Sequence, residues 1–124
     1  PLSERRLKRN PLRDVAGMIR SFHYAAFAPL TKGESGVVVR VEDVEPLIRW
    51  ARAWYGWVTG CFLAGYFEVV KPELIPDSIE ELEVLLDAYL LEKAIYEMGY
   101  EMNNRPDWLV IPIRGILDLV DTGS

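Results

Sequence analysis

The chain has 124 residues, half of them hydrophobic and 27% charged, with a net charge of −5. That length fits one domain able to bury roughly two thirds of its unfolded surface, and the apolar content excludes a disordered chain. One cysteine, Cys61, and one histidine, His23, exclude a disulfide framework and a multi-cysteine zinc site.

In chain order, the first twenty residues carry six basic groups (Arg5, Arg6, Lys8, Arg9, Arg13, Arg20) against Glu4 and Asp14, a local balance of +4 that leaves −9 for the rest. A nucleic-acid domain carries a broad basic face and a high pI. The Arg5–Arg9 cluster is too small for that, so no nucleic-acid partner is expected. The chain opens on Pro1, with neither Met nor a secretory pattern, and reads as part of a longer protein.

The first helix is predicted to start at Asn10-Pro11 and fade near Ala28-Pro29. Asn10 caps, Pro11 suits the first position, and Asp14 complements the positive helix end. Leu12, Val15, Ala16, Ile19 and Phe22 recur at helical spacing. Residues 32–41 read as a loop followed by an extended, valine-rich connector. The second helix is predicted from Glu42 or Asp43 to Phe67 or Glu68, with Pro46 in its first turn.

Ala53 to Phe67 contains no charge for 15 residues, short of the roughly 20 that a membrane span needs. Leu47, Trp50, Trp54, Trp57 and Cys61 form one stripe of this helix, and Ile48, Ala51, Tyr55, Val58 and Phe62 another. A helix apolar on both sides is expected to be central. Cys61 is then a small core residue, with Gly56 and Gly60 admitting a close neighbour helix. The third helix is predicted from a cap at Ser78 or Asp77 to about Asn103, stopped by Arg105-Pro106. Asp107 is expected to cap a short turn at Trp108, and a last helix to run from Pro112 to about Val120. With no second domain in the pattern, residues 1–124 read as one all-α domain of about four helices.

Catalytic chemistry has little footing in these residues. His23 is expected to be structural and hydrogen-bonded. Gly33-Glu34-Ser35-Gly36 lacks the lysine and the strand–helix setting of a phosphate loop. Glu97 and Glu101 sit one turn apart on one helix and cannot flank a glycosidic bond. No catalytic residue and no metal ligand is assigned. The end of the third helix is richer: Tyr96 and Tyr100 share a face, and Glu97, Glu101 and Asn104 lie beside it. Flat rings with carboxylate and amide groups suit a sugar or another polar small molecule. The same pattern also suits the end of an ordinary core with solvent-facing glutamates.

Long ordered motifs carry a resemblance. Ser3–Ala26 (SERRLKRNPLRDVAGMIRSFHYAA), Leu90–Glu97 (LLEKAIYE), Tyr100–Trp108 (YEMNNRPDW) and Ile111–Ile116 (IPIRGI) resemble the C-terminal lobe of bacterial maltokinases. Residues 29–78 match only loosely. The resemblance implies the helical C-terminal subdomain of a protein-kinase-like fold of the aminoglycoside-phosphotransferase type. It implies a cytoplasmic parent enzyme that uses ATP and Mg to phosphorylate maltose at its anomeric hydroxyl, in trehalose and α-glucan metabolism. Such enzymes are often fused to a trehalose synthase.

In that family the catalytic loop and the metal-binding acids precede the stretch represented here. The resemblance therefore implies an isolated chain without activity or cofactor of its own, whose partners are the N-terminal part of the kinase and a trehalose synthase domain. Tyr96 and Tyr100 match positions that line the acceptor site. Glu97, Glu101, Asn104, Arg105 and Trp108 lie in the same motif, and Arg13 and Asp14 match a pair that braces the active-site loops. The contrasting reading is a non-catalytic helical interaction module.

Overall fold

A computed structural model describes residues 10–31 and 40–122. The Arg5–Arg9 cluster, the glycine-containing loop and most of the valine-rich connector lie outside the described residues. The described residues form four α-helices and no strand: α1 (Pro11–Phe27), α2 (Val41–Val69), α3 (Ile79–Asn104) and α4 (Val110–Thr122). Three short 3₁₀ turns, Ala28–Leu30, Pro72–Leu74 and Pro106–Trp108, join or extend them.

The helix ends follow from local chemistry. The Asn10 side chain accepts from the Leu12 amide at 2.9 Å, and the Ser78 hydroxyl accepts from the Glu81 amide at 3.0 Å. Each satisfies an amide that the first helical turn leaves without a backbone partner. Arg105 ends α3 ahead of Pro106, and it also caps the following turn. Asp107 therefore lies inside that turn and does not cap it. Val110 begins α4 two residues before Pro112, a position where proline still costs no helical hydrogen bond.

The central helix is α1. Its apolar face, Leu12, Val15, Ala16 and Ile19, packs with Leu86, Tyr89 and Leu90 of α3. Tyr55, Phe62, Leu63, Tyr66 and Phe67 of α2 cover the side of that cluster. A second cluster, Phe27, Ala51, Trp108 and Ile111, joins the end of α1 to α2, the Pro106–Trp108 turn and α4.

The expectation that α2 is central is corrected. Ala51 is its one buried residue. The Ile48–Ala51–Tyr55–Phe62 stripe faces the core, whereas Trp50 (74% exposed), Trp54 and Trp57 (75%) point outward. Cys61 is exposed, not a core residue. A Cβ added at Gly56 or Gly60 meets nothing within 4 Å, so no described helix uses the close approach that these glycines permit. None of the described helices is long and apolar enough to cross a membrane.

Candidate functional site

Two acid–base rungs tie α1 to α3. Arg20 and Tyr24 are four residues apart on α1, and Glu97 and Glu101 are four apart on α3. At that spacing each pair projects from one side of its helix. Arg20 Nε donates to Glu97 Oε1 at 2.7 Å. One turn along, the Tyr24 hydroxyl donates to Glu101 Oε2 at 2.7 Å.

Glu101 is 1% exposed and also accepts two bonds from Arg105, at 2.9 Å from Nε and 3.2 Å from Nη2. Its carboxylate is therefore almost saturated with donors, which offsets the cost of burying the charge. Burial pushes the Glu97 carboxyl above the ordinary carboxylate range, and Arg20 offsets this only in part. Burial, with the bond to Glu101 second, likewise pushes the Tyr24 hydroxyl up.

The outer side of the same seam is open. A groove of about 440 Å³ runs between α1 and α3, lined by Arg13, Asp14, Gly17, Tyr89, Glu92, Lys93 and Tyr96. Arg13 pairs with Glu92 across it, and the Lys93 ammonium sits 5.0 Å over the Tyr96 ring. Tyr96 is 65% exposed, and Tyr100, one turn further on, is about half exposed. Beyond them the Arg105 guanidinium lies 3.9 Å over the Trp108 ring and 5.6 Å from that of Tyr100. Asn104 is exposed and donates back to the Tyr100 carbonyl at 2.8 Å.

The residues proposed from sequence thus separate into two groups. Arg13, Asp14 and Tyr96 meet at the groove, and Tyr100 continues its aromatic face. Glu97 and Glu101, read as a strip beside the tyrosines and turned to solvent on the simplest view, instead point inward. Arg105 and Trp108 close the corner between α3 and α4. Arg20 and Tyr24 were missed, although their four-residue spacing matches that of the two glutamates.

His23 is structural, but not through hydrogen bonds. It is 2% exposed, and among the described residues neither ring nitrogen has a partner. It packs against Phe27 and Tyr55, with ring centroids 4.8 and 5.1 Å away. Burial, aided by Arg20, Arg114 and Arg52, pulls its pKa down to about 3.

Gly115 of α4 lies directly against the Arg20 guanidinium. A Cβ there collides with Arg20 Nη1, so the guanidinium that holds Glu97 through Nε must shift. Gly115→Ala is expected to lower stability by about 1–3 kcal/mol, measured by denaturant unfolding. An unchanged midpoint would show that Arg20 has room to move.

Among the described residues no three His, Cys, Asp or Glu side chains cluster as a cation site. No family model matches the chain.

Proposed function

We propose that this chain is the acceptor-sugar side of an ATP-dependent maltokinase, the helical lobe of a longer enzyme that makes maltose 1-phosphate. The observation that supports this reading most directly is the groove between α1 and α3. It places Tyr96 opposite Arg13 and Asp14 in a space of about 440 Å³, and Tyr100 extends the aromatic wall. A disaccharide presents apolar C–H faces and a belt of hydroxyls. Exposed rings take the faces, and Asp14, Glu92, Lys93 and Arg13 supply acceptors and donors for the belt.

In this reading Glu97 and Glu101 contribute by holding α3 in place, since both carboxylates are engaged by α1 and Arg105. Arg105 and Trp108 brace the end of the same face. ATP and Mg are held by other parts of the parent kinase, which is often joined to a trehalose synthase.

Tyr100→Ala in the full-length parent is expected to raise the maltose KM by about fivefold or more, the loss of roughly 1 kcal/mol of ring contact, with the ATP KM unchanged. Equal changes in both, with the fold intact by circular dichroism, would remove the tyrosines from the acceptor site. The contrasting reading, a non-catalytic interaction module, draws on the outward tryptophans of α2. Saturation-transfer NMR on this chain separates the two: maltose signals lost in Tyr96→Ala favour the sugar site, and no transfer favours the module.

A further inference from the structure

One chamber is touched by all four helices. It holds about 160 Å³ and is lined by Arg20 and His23 of α1, Tyr55 of α2, Leu90 of α3 and one turn of α4 from Gly115 to Leu119. Arg20 and His23 are three residues apart and share a side of α1. They are 3% and 2% exposed. Among the described residues, Arg20 Nη2 and both ring nitrogens of His23 have no hydrogen-bond partner. Arg20 uses its Nε on Glu97, and His23 packs on Phe27 and Tyr55 through contacts that leave its nitrogens unused. Buried polar groups as a rule have partners. Three such atoms on two side chains of one chamber point to an occupant.

The walls select its chemistry. A water needs two to four polar partners to settle in a cavity, and Leu90, Leu119 and Gly115 offer no side-chain group to hold one. A space of roughly 150 Å³ with apolar walls takes a benzene-sized molecule. The polar end asks for an acceptor. Arg20 Nη2 only donates, and a neutral imidazole donates through one nitrogen. An ionised acceptor makes the strongest bonds to such donors. The charged groups that act on His23 are the guanidiniums of Arg20, Arg114 and Arg52. Arg20 is matched by Glu97 and Arg52 by Asp118, whereas Arg114 lies over the Phe27 ring at 4.8 Å. One negative charge balances the set.

We infer that this chamber binds a small monocarboxylate with a ring-sized apolar body. The carboxylate accepts from Arg20 Nη2 and from one His23 nitrogen, and the body lies against Leu90, Leu119 and the Tyr55 ring. Asp118 lines the same chamber and repels a carboxylate, so the ligand is stable with its charge at the Arg20–His23 end. The missing side chain at Gly115 leaves the Arg20 guanidinium its place in the wall. None of these residues lines the α1–α3 groove, so the inference stands apart from the sugar-kinase reading.

Benzoate is the probe, with benzyl alcohol as its uncharged counterpart and acetate as the carboxylate without a body. His23 is the only histidine of the chain, so its imidazole gives one unambiguous proton NMR signal at neutral pH. Millimolar benzoate is expected to shift that signal saturably and to raise the thermal midpoint. Benzyl alcohol and acetate are each expected to bind at least about tenfold more weakly, the first for want of charge and the second for want of apolar contact. Leu119→Trp fills the chamber and is expected to abolish the shift, with far-UV circular dichroism unchanged. His23→Phe, followed by its thermal midpoint, is expected to lose most of the benzoate effect. A His23 signal indifferent to benzoate overturns the inference, and so does benzyl alcohol binding as tightly as benzoate. Undiminished benzoate binding by folded Leu119→Trp also overturns it, by placing the contact elsewhere.

Discussion

Replacing Arg20 by Met is expected to cost about 3–5 kcal/mol of stability, because it leaves the Glu97 carboxylate buried without its partner. Both side chains are almost sealed from solvent, 4% and 11% exposed, so water cannot take over the lost bond. The effect should not come from lost packing, since Met retains most of the Arg stem. The double variant Arg20→Met/Glu97→Leu separates these causes. With both charges gone, no ion is stranded, and an apolar pair of similar volume can be as stable as the buried ion pair. Denaturant unfolding of the four forms is expected to show the double variant recovering most of the loss. If its loss instead equals the sum of the two single losses, the rung is two independent contacts.

Acid is expected to destabilise the fold through His23. Its folded-state pKa of about 3 lies well below the roughly 6.5 of an unfolded histidine. Below pH 6.5 the unfolded chain therefore takes up a proton that the folded chain refuses. The stability supplied by neutral His23 is complete above that pH and falls away as the pH drops toward 3. The slope approaches about 1.4 kcal/mol per pH unit, so roughly 2–3 kcal/mol is lost by pH 4.5.

The chamber beside this ring is lined by Arg20, Tyr55, Gly115 and Asp118, with Arg52 paired to Asp118 at its edge. Its three arginine neighbours add to the cost of a fourth positive charge. His23→Phe keeps the ring packing and removes the titration. It is expected to flatten the thermal midpoint against pH between 6.5 and 4.5. A wild-type curve already flat in that window would show that His23 accepts a proton without penalty.

Much of the scaffold was legible because its signals are local. Asn10-Pro11, Ser78 and Arg105-Pro106 each set a helix end through the chemistry of one or two residues, and the observed ends fall within two residues of the predicted ones. The seat of each helix in the bundle was less legible. The Trp50–Trp54–Trp57 stripe and the Tyr55–Phe62 stripe are both apolar, and nothing along α2 itself says which one meets α1.

The two glutamates illustrate the opposite difficulty. Glu97 and Glu101 are charged and so read as solvent-facing, yet they are buried; one donor to each comes from α1, 77 residues away, and Arg105 supplies two more to Glu101. Polar burial hides from hydrophobic periodicity. It could be found only by matching the Arg20–Tyr24 spacing to the Glu97–Glu101 spacing. Of the candidate site, Tyr96 and Tyr100 stand outward as the ring pattern required, but the groove that joins Tyr96 to Arg13 and Asp14 depends on how two helices pack.

The rungs between α1 and α3 also act as an angular stop. Tyr96 precedes Glu97 and Tyr100 precedes Glu101, and neighbours on a helix are separated by about 100° of rotation. With both acids pinned one turn apart, α3 cannot roll about its own axis. The azimuth of both rings is therefore fixed before anything arrives to meet them. A molecule that lies across those rings encounters a surface already aimed, and the entropy of aiming it has been spent in folding.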